Sequence, residues 1–128
     1  MPVPTTALYS GILALFIVAL ALNVTIHRFK FHVTLGDGGN PLLGRMIRMH
    51  GNTVENVPLG LLLMGLYELD GGAAVVLHAA GITLIVARLI YVGALSRYEE
   101  KNPIRALSVI LTWLTITALA ILNLWQIR

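Results

Sequence analysis

Arg45, Arg48, Asn52 and Glu55 stand at offsets of 0, 3, 7 and 10, and at about 100° per residue on a helix they fall within an arc of roughly 80°. Three of the four carry charge, yet they open an apolar run that continues through Leu59 to Leu66. Ionisable groups at membrane depth cost about 2.5–3.5 kcal/mol each on insertion scales, so a helix carrying several turns them toward protein, ligand or water. A second stripe, Arg105, Ser108, Thr112 and Thr115, repeats the same offsets, and Asn123 returns to that bearing further along. Its hydroxyls could equally bond their own helix backbone. Between the stripes, Arg88 and Tyr91 share a face at i, i+3. Arg28 and Lys30 lie in the basic, aromatic segment His27 to His32, and Arg45 and His50 flank the Arg48 segment as further candidates. The result is a net cationic site with a single carboxylate, Glu55. Arginine offers forked donors to carboxylates, while Glu55 and Asn52 can hold an ammonium or amide. A zwitterionic peptide with several carboxylates satisfies both demands.

Composition says what must position these groups. The chain has 128 residues, 57% of them hydrophobic and 12% charged, with a mean hydropathy of +0.82. That is far more apolar than a soluble domain of this size. Apolar runs predict an all-α membrane protein, a four-transmembrane-helix bundle with up-down topology, in a single domain over 1–128. The helices are expected at about 6–26, 42–69, 73–95 and 103–125. The first run lacks a basic segment before it and exceeds the length of a signal peptide's apolar region, so it is expected to stay as a helix. Gly36 to Pro41 reads as a connection, and without a Gly-Lys-Ser/Thr ending it does not resemble a phosphate loop. Pro58 falls inside the second helix and favours a kink there. Glu68 to Gly72 reads as an acidic turn, and Pro103 suits the first turn of the last helix.

The charge distribution excludes several functions. Eight of the nine lysines and arginines lie on or near the first and third connections. The positive-inside rule therefore places 27–44 and 96–102 in the cytoplasm and both termini outside. Basic residues that flank apolar runs in this way serve topology, so no nucleic-acid partner is expected despite the formal charge of +3. There is no cysteine, so any thiol chemistry must use a thiol from the ligand. His27, His32, His50 and His78 fit no tight ligand spacing, and no metal is expected. A small four-helix transporter coupling protons through an acid in its first helix is a poorer match. The first helix here has no acid, and Glu55 lies near one end of the second among arginines.

Arg45-x-x-Arg48-x-His50-x-Asn52-x-x-Glu55-x-x-Pro58 resembles the second-helix signature of the MAPEG family, the membrane-associated proteins in eicosanoid and glutathione metabolism. That family includes microsomal glutathione transferases and microsomal prostaglandin-E synthase. Ala87-Arg88-Leu-Ile-Tyr91 resembles its third-helix Arg-x-x-Tyr/His pattern, and Asn102-Pro103-Ile104-Arg105 resembles the opening of the fourth helix in the prostaglandin-synthase branch. The resemblance implies a homotrimer embedded in membrane lipid, with glutathione bound between subunits as cosubstrate. It implies a glutathione-dependent transferase, or a peroxidase, acting on a lipophilic small molecule. By motif position Arg48, Asn52, Glu55, Arg88 and Tyr91 would contact glutathione, with Arg28 or Lys30 reaching across from the adjacent protomer. Arg105 would sit by the sulfur as the catalytic group, with Tyr91 as the second catalytic candidate. Two positions depart from the pattern: Leu95 stands where relatives carry a second tyrosine, and Ala106 where the prostaglandin branch has serine. Fewer hydroxyls would then surround the thiol, and a glutathione-binding membrane protein without turnover is the alternative. The short chain resembles bacterial members, which implies a bacterial inner membrane with both termini in the periplasm and points away from an eicosanoid substrate.

Overall fold

The computed structural model describes residues 1–96 and 102–127. Four helices account for most of them: α1 (Pro4–Phe31), α2 (Pro41–Leu69), α3 (Ala74–Ser96) and α4 (Pro103–Gln126). No strand occurs among the described residues. α1, α3 and α4 are each long and apolar enough to cross a membrane. α2 is long enough at 29 residues, but its first half is diluted by the charged stripe.

The helix ends follow local chemistry. The Asn40 side chain accepts from the Leu42 and Leu43 amides, and the Asn102 side chain accepts from the Ile104 amide. Each is followed by a proline whose missing N–H would have been an orphan in the first turn anyway. α1 runs on to Phe31, past the end near 26 that its apolar run suggests, so residues 27–31 are helical and not part of the connection. Arg28 and Lys30 fall in that added last turn, where cations complement the helix dipole. His32 then closes it in a left-handed conformation, its amide returning to the Arg28 and Phe29 carbonyls. The connection beyond turns through Gly36, Gly38 and Gly39, all at positive φ, where a side chain would add strain. α2 continues as helix through Pro58.

α2 and α3 form the middle of the bundle. α1 packs on both from one side and α4 on both from the other, with no contact between α1 and α4 among the described residues. The main core joins Tyr9 and Leu13 of α1, Val57 and Met64 of α2, Leu77 and Leu84 of α3, and Leu119 of α4. Much of α1 and α4 stays exposed with apolar side chains such as Leu15, Leu22, Leu114 and Leu124, as suits helices facing hydrocarbon.

The end of the bundle opposite the arginines is tied by polar side chains. Both Glu68 carboxylate oxygens accept from the α1 N-terminal amides, Thr5 at 2.9 Å and Thr6 at 2.7 Å. Val3 at the N-cap offers no side-chain acceptor, so the cap comes from the last turn of another helix. The Tyr9 hydroxyl pairs with His78 Nδ1 at 2.8 Å, and Asn123 donates to the Leu63 carbonyl at 3.0 Å.

Gly81 sits directly against the Tyr9 ring, so a Cβ there would overlap it, whereas a Cβ at Gly93 would meet nothing within 4 Å. Gly81→Ala is expected to lower the unfolding free energy by about 1–3 kcal/mol, and Gly93→Ala to leave it unchanged or raise it. Thermal melts of the two variants in one detergent check the contrast.

Candidate functional site

The site is built outward from Arg88. This residue is 1% exposed, and its guanidinium bridges three helices, with Nη1 donating to Asn52 Oδ1 at 2.6 Å and Nη2 to Thr112 Oγ1 at 2.5 Å. The Thr112 hydroxyl donates in turn to the Ser108 carbonyl at 3.0 Å, which leaves its lone pairs facing Arg88. The Arg88 Cζ lies 5.1 Å from the centre of the Tyr91 ring, within range of a cation–π contact. Both hydrogen-bond acceptors are neutral. No carboxylate pairs with Arg88 among the described residues, and its Nε is buried with no partner. Taking an ion out of water is tolerable only when its hydrogen-bonding capacity is met, so this network constrains α2, α3 and α4 together.

One turn from Asn52 on the same helix the environment changes. Arg48 and Glu55 face each other in a two-pronged arrangement, Nη1 to Oε1 at 3.5 Å and Nη2 to Oε2 at 3.4 Å. Their side chains are 55% and 59% exposed. These distances are longer than the roughly 2.7–2.9 Å of a tight charge-assisted bond. Gly51 lies between them, where even a methyl group would come within 3.4 Å of Arg48 Nη1 and 3.9 Å of Glu55 Oε1. The two charges therefore sit in an open, loosely engaged fork. Tyr91 is buried beside Met49, Leu20 and Leu95, with its hydroxyl within electrostatic reach of Arg48. Arg48, Asn52, Glu55, Arg88 and Tyr91, singled out from spacing and resemblance, are thus gathered at one place on α2 and α3.

The remaining candidates lie elsewhere in the protomer. Arg105 is half-buried in the first turn of α4, two turns from Thr112. Its guanidinium forms no hydrogen bond or ion pair among the described residues. Arg45 and His50 are half-buried on α2 to either side of Arg48 in sequence. Arg28 donates to the Gly36 carbonyl at 2.6 Å and the Thr34 carbonyl at 3.4 Å, closing its own connection. Lys30 is exposed, its ammonium 5.9 Å from the Phe31 ring centre. Arg97 and Lys101, counted in the charge pattern of the third connection, lie outside the described residues. No group of three or more His, Asp or Glu side chains is close enough to hold a metal among the described residues.

Sequence reasoning missed two partners. Ser108, Thr112 and Thr115 all bond their own helix, as hydroxyls in apolar helices do, but Thr112 also receives Arg88. Its place on the stripe headed by Arg105 was the available signal. Asn56 accepts from the Trp113 indole at 3.1 Å, fastening α2 to α4 beside the site, and no spacing rule within one helix points to such a pair.

The profile of the MAPEG family matches residues 6–125. The inner membrane protein YecN of Escherichia coli strain K12 is 33% identical over 121 residues, which cover 94% of this chain and 90% of YecN. The YecN of Escherichia coli O6:H1 strain CFT073 matches to the same extent. YecN is named for its location in the inner membrane and not for an activity.

Asn52→Leu leaves a buried guanidinium short of an acceptor and is expected to lower stability by about 1.5–3 kcal/mol. Arg48→Ala removes an exposed, loosely engaged pair and is expected to change it by less than about 1 kcal/mol. Denaturant titration of both variants in detergent micelles measures the difference.

Proposed function

The chain belongs to the MAPEG family, and on that premise we propose that it is an integral membrane glutathione S-transferase, with peroxidase activity as a further outcome of the same activated thiol. The observation that carries this reading is the open Arg48–Glu55 fork standing on a buried Arg88–Asn52–Thr112 network. Glutathione has two carboxylates and one ammonium. The Arg48 guanidinium takes a carboxylate in exchange for its long contact to Glu55, and the freed Glu55 takes the ammonium. Arg88 does not need to move. It fixes Asn52 and the Tyr91 ring as a firm floor for the tripeptide.

Arg105 is the proposed thiol activator. A free thiol with pKa near 8.5 is only about 3% thiolate at pH 7, and a nearby arginine that lowers it by roughly two units makes it about three-quarters ionised, which asks for about 2.7 kcal/mol of differential interaction. One cation at the rim of an apolar site is equal to that. The thiolate attacks an electrophilic carbon, forming a thioether while the leaving group departs with its electron pair. With a hydroperoxide it attacks the terminal oxygen, the O–O bond breaks and the alkoxide leaves and takes a proton as the alcohol, and a second glutathione converts the resulting sulfenic acid to the disulfide with release of water. Arg28 or Lys30 of a neighbouring protomer completes the site in a homotrimer. In that case Arg28 gives up its bonds to the Gly36 and Thr34 carbonyls.

Calorimetry on detergent-purified protein is expected to give micromolar to millimolar glutathione binding, weakened at least tenfold by Arg48→Ala or Glu55→Ala without loss of the folded oligomer. Native mass spectrometry of the same samples is expected to show three chains. A monomer that binds glutathione equally well would sink the intersubunit site.

Arg105→Ala is expected to leave glutathione affinity within a few fold. It should abolish the thiolate ultraviolet absorbance and depress turnover of a model aryl halide by a factor on the order of 10². Arg105→Lys is expected to restore part of both, since an ammonium keeps the charge and loses the planar fork. If Arg105→Ala ionises glutathione as wild type does, Tyr91 becomes the hydroxyl donor to sulfur. Tight binding with no turnover of either an aryl halide or a lipid hydroperoxide would make the chain a binding protein.

A further inference from the structure

α1 is longer than the layer it crosses. Its exposed apolar residues run from Leu8 through Leu15 and Leu22 to Ile26, a span of about 27 Å at 1.5 Å per residue, which matches a hydrocarbon core of about 30 Å. The helix continues to Phe31, so the turn beyond Ile26 stands at the depth of the lipid phosphates. A hollow of about 410 Å³ lies there, lined by Thr25, Arg28, Phe29, His32, Val33 and Thr34. The first four follow at i, i+3, i+4 and i+7 on one face.

The hollow is basic and its charge is unmatched. Arg28 Nη1 donates to the Gly36 and Thr34 carbonyls at 2.6 and 3.4 Å, which hold the guanidinium in place. No carboxylate pairs with it among the described residues. Its Nε and Nη2 have no protein partner there, and neither is sealed from solvent. Asp37, the nearest acid in sequence, accepts from the Gly39 amide at 2.9 Å and does not line the hollow. Free carbonyls at a helix end repel anions, but those of Arg28 and Phe29 are taken by the Val33 and His32 amides at 3.0 and 3.3 Å. His32 holds a left-handed position, φ 55°, that glycine takes without steric cost. Its ring offers an N–H in either tautomer.

A phosphodiester fits these donors, since its charged oxygens accept from a guanidinium fork. Leu15, Leu22, Ile26 and Phe29 share one exposed face of α1 that leads to the rim, a track for acyl chains attached to such a phosphate. A headgroup ammonium would bring a cation to a hollow with no acid to meet it. We propose that this hollow binds a glycerophospholipid with a net negative headgroup, Arg28 and His32 donating to its phosphate oxygens. The site is separate from the Arg48–Glu55 fork and does not depend on glutathione binding there. Of the two cations considered for a neighbouring subunit, it leaves Lys30.

Native mass spectrometry of the full-length protein in non-ionic detergent tests this, with dioleoylphosphatidylglycerol, dioleoylphosphatidylcholine and inorganic phosphate as probes. Phosphatidylglycerol is expected to bind once per chain, at least tenfold more tightly than phosphatidylcholine. Arg28→Gln is expected to remove that preference, whereas Lys30→Gln, which deletes the same charge outside the hollow, should change it less than threefold. His32→Gly relieves the left-handed strain, so its melting temperature should hold or rise while phosphatidylglycerol affinity falls at least threefold. A folded His32→Gly variant with full affinity would overturn the proposal. Equal affinity for the two lipids would do the same, as would equal losses from Arg28→Gln and Lys30→Gln, the mark of diffuse attraction. Displacement of phosphatidylglycerol by millimolar inorganic phosphate would assign the hollow to a free anion, and displacement by glutathione would assign Arg28 to the tripeptide; either result sinks the lipid site.

Discussion

The arrangement depends on one buried charge. A guanidinium at 1% exposure inside a hydrocarbon-facing bundle must be met by acceptors from more than one direction, because no single helix can supply them with good geometry. Arg88 takes one from α2 and one from α4, so the spacing and rotation of the three helices are linked through one side chain. Thr112 serves by being a hydroxyl that spends its proton on its own helix and keeps its lone pairs for its neighbour. A serine or threonine in that role is normally read as a passive occupant of an apolar helix.

The constraint also explains why the exposed fork can be loose. With Asn52 committed to Arg88, the face of α2 keeps its register whether or not Arg48 and Glu55 are in contact. Those two side chains then need not contribute to stability, and their long contact is consistent with little net gain from an exposed pair. A rigid floor beneath weakly engaged charges lets the Arg48–Glu55 pair part without disturbing the packing of the helices. The fork faces the same end of the bundle as the first turn of α4, where Arg105 stands.

At the other end the chain solves an opposite problem. α1 begins without a capping side chain, and its orphan amides are met by a carboxylate from the last turn of α2. Tyr9 pairs with His78, and Asn123 with the Leu63 carbonyl, across helix pairs at that end. Every helix is thus tied to another by hydrogen bonds, which matters in a medium where burial of apolar surface does little to hold helices together.

Much of this was legible in the residues alone. Hydropathy and length determined an all-helical membrane chain, because backbone groups in lipid must be satisfied within a segment. Offsets of 3, 7 and 10 put Arg48, Asn52 and Glu55 on one face, and the motif spacing carried the family. The end of α1 was less legible, since an apolar count stops where the basic residues begin, while the helix goes on to use those residues as its C-terminal cations. Only the tertiary structure decided which polar residues were committed inward and which were left outward. Periodicity fixes the bearing of a side chain about its own axis but not how far a neighbouring helix covers it. Arg88 and Arg48 look alike as arginines on polar helix faces, yet the packing of α2 and α4 against α3 makes one a buried tie and leaves the other exposed.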